Sequence, residues 1–129
     1  METLSHFIAF DLEFNTVNDK SHLIHFDSYV YTDVPLQSFI NGLTGITADK
    51  IAQAPKIEEV LSAFKAFVSD YPLIGYNAHK SDLPILAENC LDLSNYYRVD
   101  VYDEAFERRS TDLNGIANLK LTSVADFLG

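Results

Sequence analysis

Asp11 and Glu13 stand two residues apart at the end of an apolar run, His6-Phe7-Ile8-Ala9-Phe10. Side chains alternate between the faces of a strand, so positions i and i+2 point the same way with Cα atoms roughly 6.6 Å apart. Two carboxylates projecting together beside an apolar strand repel each other unless cations neutralise them, and an all-oxygen pair suits Mg²⁺ or Mn²⁺. The spacing is that of half a metal site. Taken alone, an Asp-x-Glu pair is more often a solvated loop start, because exposed acids are the norm. A third acid in a matching context is Asp82. Residues 73–76 read as a short buried strand, residues 77–80 as a polar turn, and Ser81 or Asp82 as the start of a helix carrying Leu83, Ile85 and Leu86. Capping or dipole compensation is the ordinary role for Asp82, and Pro84 fits a first helical turn. Serving as a ligand is compatible with that role.

The elements that would hold these acids can be read from the hydrophobic pattern. Residues 23–32 are rich in β-branched and aromatic side chains and predict a second, antiparallel strand after a turn at residues 18–21. Pro55 opens an amphipathic helix in which Ile57, Val60, Leu61, Phe64, Phe67 and Val68 recur at helical spacing, a core stripe meant to cover one face of the sheet. A strand at 98–101 comes after the helix begun at Asp82, so the second half alternates in the βαβ manner that gives parallel strands. Sites in such sheets form at the carboxyl ends of strands, which would bring Asp11, Glu13 and Asp82 to one edge. Asp100, Asp103 and Glu104 read as a solvated helix start, and His79 and Lys80 as solvated turn residues. Residues 110–118 are the most loop-like segment.

The 129 residues, 47% of them hydrophobic, are expected to form a single domain over 1–129, since a second core would be starved of apolar area. A lone Cys90 has no partner for an internal disulfide or a cysteine zinc site, which favours a reducing compartment. No apolar run approaches the roughly 20 residues that span a bilayer, and the first residues lack the basic start of a signal peptide. The expectation is a cytoplasmic protein with no membrane association. A net charge of −10 with nine Lys and Arg opposes broad nucleic-acid binding, which draws its affinity from basic side chains. Bound cations could still hold one phosphate.

The run from Phe7 through Asp11 and Glu13 to Thr16, and then Gly75-Tyr76-Asn77 with Asp82 and Leu86, resembles the first two motifs of the DnaQ-like, or DEDD, exonucleases of DNA polymerase III epsilon type. Leu43-Thr44-Gly45-Ile46-Thr47 is similar to the family's loop beside the substrate's 3′ end, and residues 99–102 and 119–129 look like its fourth strand and the Leu-x-x-Leu-Ala helix after it. The resemblance implies an α/β fold, a ribonuclease-H-like mixed sheet flanked by helices. It also implies 3′ to 5′ hydrolysis of phosphodiester bonds by two Mg²⁺ or Mn²⁺ ions about 3.5 to 4 Å apart. Asp11 would bridge the ions, Glu13 would hold the one carrying the attacking water, and Asp82 the other. Asn77, Phe14, Asn15 and Thr16 would contact the sugar or terminal base, with Gly45, Ile46 and Thr47 on the opposite wall. The substrate would be the single-stranded 3′ end of DNA, with RNA as a second candidate. A polymerase or another protein would supply basic surface.

Several positions depart from the family pattern. Ser81 stands where an aromatic residue is usual, Tyr76 where His is common, and Phe14-Asn15 where Thr-Thr is frequent. The family's third motif, a His or Tyr before a final Asp, would come after the last helix, just where the chain reaches Gly129. His22 with Asp27 and Tyr29 with Asp33 have the spacing but precede the second motif, and are chance matches. The expectation is a C-terminally truncated, incomplete exonuclease domain with low or no activity, the alternative being a catalytically inactive binding or interaction module on the same fold.

Overall fold

Short apolar runs separated by helical patterns bury both faces most readily as parallel strands joined by helical crossovers. The computed structural model, which describes residues 8–11 and 26–129, obeys that rule. Strand β1 (Ile8–Ala9) pairs in parallel with β2 (Leu73–Gly75), and β2 pairs in parallel with β3 (Tyr97–Asp100), giving the order β1-β2-β3. The Ile8 amide donates to Pro72 O at 2.9 Å and the Phe10 amide to Ile74 O at 3.1 Å, so the ladder continues one residue past β1. With its flanking helices the sheet makes the α/β architecture expected from the sequence. The strand expected at 73–76 ends at Gly75 because Asn77 turns left-handed at φ 57°. The third starts at Tyr97 and ends at Asp100, which instead caps the next helix.

The described part of the sheet belongs to a unit formed by residues 1–11 and 70–129. Helix α4 (Asp82–Glu88) leaves β2 through the turn at 76–81, and α5 (Val101–Glu107) begins directly after β3. Helix α6 (Leu121–Leu128) is the last element of the unit. Pro84 is the third residue of α4, where its missing N–H removes no intrahelical bond. The segment expected to be a loop at 110–118 is irregular but not solvated throughout. Leu113 is buried with Ala105 and Val124, and Ile116 and Leu119 pack against them. Cys90 lies exposed just beyond α4.

Gly75 marks the closest packing in this unit. A Cβ there would lie 2.7 Å from the Ala78 Cβ and 3.2 Å from the Tyr97 hydroxyl oxygen, and Ala78 is completely buried and cannot yield. Gly75→Ala is therefore expected to cost about 1 to 3 kcal/mol. A urea midpoint equal to that of the wild type would refute the close packing.

Residues 12–69 form the second unit. Its described part carries α1 (Ser38–Thr44), α2 (Ala48–Ala52) and α3 (Ile57–Val68). The α3 stripe is realised with Val60 and Val68 buried, while Ile57, Leu61, Phe64 and Phe67 are half-buried. Phe26 packs on Phe64 and Phe67 with ring centroids 5.5 and 5.8 Å apart. No strand forms over residues 26–32; residues 23–25 of that expected strand lie outside the described residues. The Tyr31 amide donates to Pro55 O at 2.8 Å, and a proline has no N–H to return the bond, so no ladder starts there. Among the described residues no helix is long and apolar enough to cross a membrane.

Candidate functional site

Parallel strands end on the same edge, so one edge of this sheet collects the residues just beyond β1, β2 and β3. Asp11 stands two residues beyond β1 and is exposed. Asn77 stands two residues beyond β2, and the turn after it leads to Asp82 in the first turn of α4. Asp100 closes β3 opposite Gly75. The register thus brings Asp11, Asn77 and the start of α4 to the expected edge. Asp82 is buried, at 9% exposure, rather than solvated as a plain cap would be. Ser81 precedes α4 without capping it, and its hydroxyl donates to Asn77 O at 3.0 Å.

Glu13, Phe14, Asn15 and Thr16 lie outside the described residues. Gly45, Ile46 and Thr47 belong to the second unit, where they join α1 to α2. Gly45 ends α1 at φ 72°, a left-handed cap that favours glycine, and its amide donates to Asn41 O at 2.8 Å. Asn41 Nδ2 then donates to Ile46 O at 3.0 Å, and Thr44 Oγ1 accepts from the Ile46 amide at 3.2 Å. These bonds fix the loop's shape locally.

Asn77 combines two costs in one residue. Its backbone is left-handed, which asparagine tolerates better than most side chains, and its Oδ1 is buried without a hydrogen-bond partner among the described residues. A buried acceptor left unpaired costs about 1 to 3 kcal/mol, and such atoms concentrate where a ligand completes the bonding.

The reading of Asp100 as part of a solvated helix start is corrected by the structure, while His79 is the exposed turn residue expected and bonds to Asp100 from there. The Asp100 side chain is only 5% exposed. Its Oδ1 accepts from the Asn77 amide at 2.8 Å and the Tyr102 amide at 3.0 Å, and its Oδ2 accepts from the Tyr97 hydroxyl at 2.7 Å. The same Oδ2 is hydrogen-bonded to His79 Nδ1, while His79 Nε2 faces Asp103 Oδ2 at 3.7 Å. Asp103 and Glu104 are exposed in the first turn of α5, as expected of dipole-favourable acids.

Burial acts to raise the Asp100 pKa, but the hydrogen bonds from Tyr97, Asn77, His79 and Tyr102 outweigh it and hold the carboxyl below its ordinary value. Burial first, and then the bond to Asp100, push the Tyr97 phenol well up, so its hydroxyl stays a donor. A carboxyl depressed by folding contributes stability above its unfolded pKa, about 3.9, and that stability is lost as pH falls through the folded value. Asp100→Asn should flatten the acid side of the stability curve below about pH 4. Urea unfolding at pH 5, 3.5 and 2.5 checks this, and parallel acid losses in both proteins would contradict it.

Comparison with known proteins adds to this geometry. A family profile described as Exonuclease matches residues 8–106. The PolC-type DNA polymerase III of Caldanaerobacter subterraneus subsp. tengcongensis is 29% identical over 136 aligned positions, covering 94% of this chain and 10% of that protein. The PolC-type DNA polymerase III of Streptococcus pneumoniae is 30% identical over 93 positions, covering 64% of this chain and 6% of its own length. That of Bacillus cereus is 38% identical over 53 positions, or 41% of this chain and 4% of its own. The chain therefore spans a tenth or less of these relatives.

Proposed function

The chain belongs to the exonuclease family, and from that premise we propose that it hydrolyses phosphodiester bonds at the 3′ end of DNA, with Asp11, Glu13 and Asp82 as ligands of Mg²⁺ or Mn²⁺. The observation that carries this reading is the register of β1 on β2. It sets Asp11 and the turn leading to Asp82 at the same edge of the sheet. The donor chemistry fits a hard divalent ion, because the acids at that edge offer oxygen and no thiolate is involved. The orphaned Asn77 Oδ1 supports a ligand at the same place.

When bound, a pair of such ions supplies Lewis acidity and neutralises charge on the phosphate. The chain's own residues then have distinct tasks. Asp11 and Asp82 supply the carboxylates from just beyond β1 and from the first turn of α4, with Glu13 beside Asp11 in sequence. Asn77 is the residue of this edge with an amide oxygen still to be satisfied, suited to a sugar hydroxyl. Phe14, Asn15 and Thr16 are proposed to contact the terminal nucleotide, with Gly45, Ile46 and Thr47 as further proposed substrate contacts. DNA is preferred over RNA because the PolC-type relatives are DNA polymerases. The acidic balance of the chain, −10 overall, means that a partner such as a polymerase supplies the basic track for the strand.

The test is a single-stranded DNA oligonucleotide labelled at either end. The expected result is early release of 3′-label as mononucleotide, dependent on Mn²⁺ or Mg²⁺ and stopped by EDTA, while the 5′-label shortens stepwise. Folded protein that releases neither label with either ion overturns the reading. Faster cleavage of an RNA of the same sequence overturns the choice of DNA.

A further inference from the structure

The cluster formed by His79, Asp100 and Asp103 is, among the described residues, a set of groups with ligand atoms within 4.8 Å of one another. Bonding capacity decides what it does. An ionised carboxylate offers about four acceptor sites. Asp100 uses them on two backbone amides, a phenol and an imidazole. Nothing is left on that residue for a cation. Its partners instead come from three parts of the fold: the turn after β2, the strand β3, and the first turn of α5.

We propose that Asp100 is a positioning residue, whose carboxylate, through Asn77 and His79, locks the turn that delivers Asp82 to the metal edge. This rests on the function proposed above for Asp82. The chain of contacts is short. Asp100 fixes the Asn77 amide and thereby its left-handed backbone. Asn77 O accepts from the Lys80 amide at 3.2 Å and from the Ser81 hydroxyl at 3.0 Å. Ala78 O, in a fully buried residue, accepts from the Leu83 amide at 2.9 Å. Asp82 is bracketed by these bonds on both sides in sequence. His79 adds a side-chain tie from the turn to Asp100 and faces Asp103 on α5. Tyr97 closes the arrangement from beneath, its hydroxyl on Asp100 and its ring against the space that Gly75 leaves open.

Groups that orient metal ligands without touching the ion typically change metal affinity by about tenfold to a hundredfold when altered. Asp100→Asn keeps one oxygen for the two backbone amides but turns an NH₂ toward the Tyr97 hydroxyl and His79. It is expected to weaken Mn²⁺ binding by about tenfold or more in titration calorimetry on folded protein, with Asp82→Asn marking the loss when the carboxylate itself is neutralised. Amide exchange at Asn77 and Leu83 is expected to speed up in the same variant. His79→Gln removes one of the four contacts and leaves the rest, so it should fold and weaken Mn²⁺ by a smaller factor. It carries the test if Asp100→Asn does not fold. Wild-type Mn²⁺ affinity in folded Asp100→Asn, or in His79→Gln should only that one fold, overturns the proposal and leaves Asp100 a stability residue. If the wild type itself takes up no Mn²⁺, the proposed function fails separately. The lock is then judged by exchange alone: faster exchange at Asn77 and Leu83 supports it, and unchanged exchange overturns it.

Discussion

Asp11→Ala is expected to lower metal-dependent nucleotide release by about a hundredfold to ten-thousandfold. The size reflects the work proposed for the carboxylate in holding the ions. Charge stabilisation by bound ions is worth several kcal/mol in the transition state, and each 1.4 kcal/mol is about tenfold in rate. Asp11 is held in place by backbone, because the Phe10 amide bonds to Ile74 O at 3.1 Å and so ties the residue before Asp11 to the central strand. The side chain itself is exposed, so replacing it removes little packing and should change stability by about 0.5 kcal/mol or less. Rate and stability therefore separate in this variant. Initial rates on 3′-labelled DNA, set against urea midpoints, measure both. A rate within a few-fold of the wild type would remove Asp11 from the metal site, and with it the sheet-edge geometry as the basis of function.

Local pattern made the strand ends and the helix start at Asp82 legible, because each is a short apolar run bounded by turn residues. The same local view misread Asp100. Beside Asp103 and Glu104 it looks like one of several solvated acids, yet its partners Asn77 and His79 lie 23 and 21 residues away in sequence. Only the pairing of β2 with β3 brings them together. The signal available in the sequence was the position of Asp100 near the end of the strand expected at 98–101; the rule that places Asp11 at the edge places Asp100 there too. Residues 26–32 show the opposite error, in which aromatic and β-branched content predicted a strand. Such content marks a half-buried surface more than a ladder. Tyr29 and Val30 are half-buried, Phe26 packs on α3, and no hydrogen-bonded strand forms over these residues. Likewise Leu113 and Ile116 were hidden in a loop-like segment, though Leu113 forms a core with Ala105 and Val124 and Ile116 packs against it.

The largest stability loss from a single truncation is expected at Leu73. It lies in the central strand, fully buried, paired with Ile8 on one side and Tyr97 on the other. Leu73→Ala should cost about 2 to 5 kcal/mol, the transfer of the lost methyl groups plus the cavity they leave between two strands. Leu73→Met, nearly equal in volume, should cost less than about 1.5 kcal/mol. Leu128→Ala, at a position 66% exposed near the end of α6, should fall within about 0.5 kcal/mol of the wild type. The chain has seven tyrosines and no tryptophan, so tyrosine fluorescence or circular dichroism in urea gives the midpoints. Leu73 also stands two residues before Gly75, at the base of the turn that carries Asn77 and leads to Asp82. A cavity there would loosen the support of that turn as well as the core. Losses of similar size at Leu73 and Leu128 would mean that β2 is not the centre of this unit, and that the edge it carries lacks a rigid foundation.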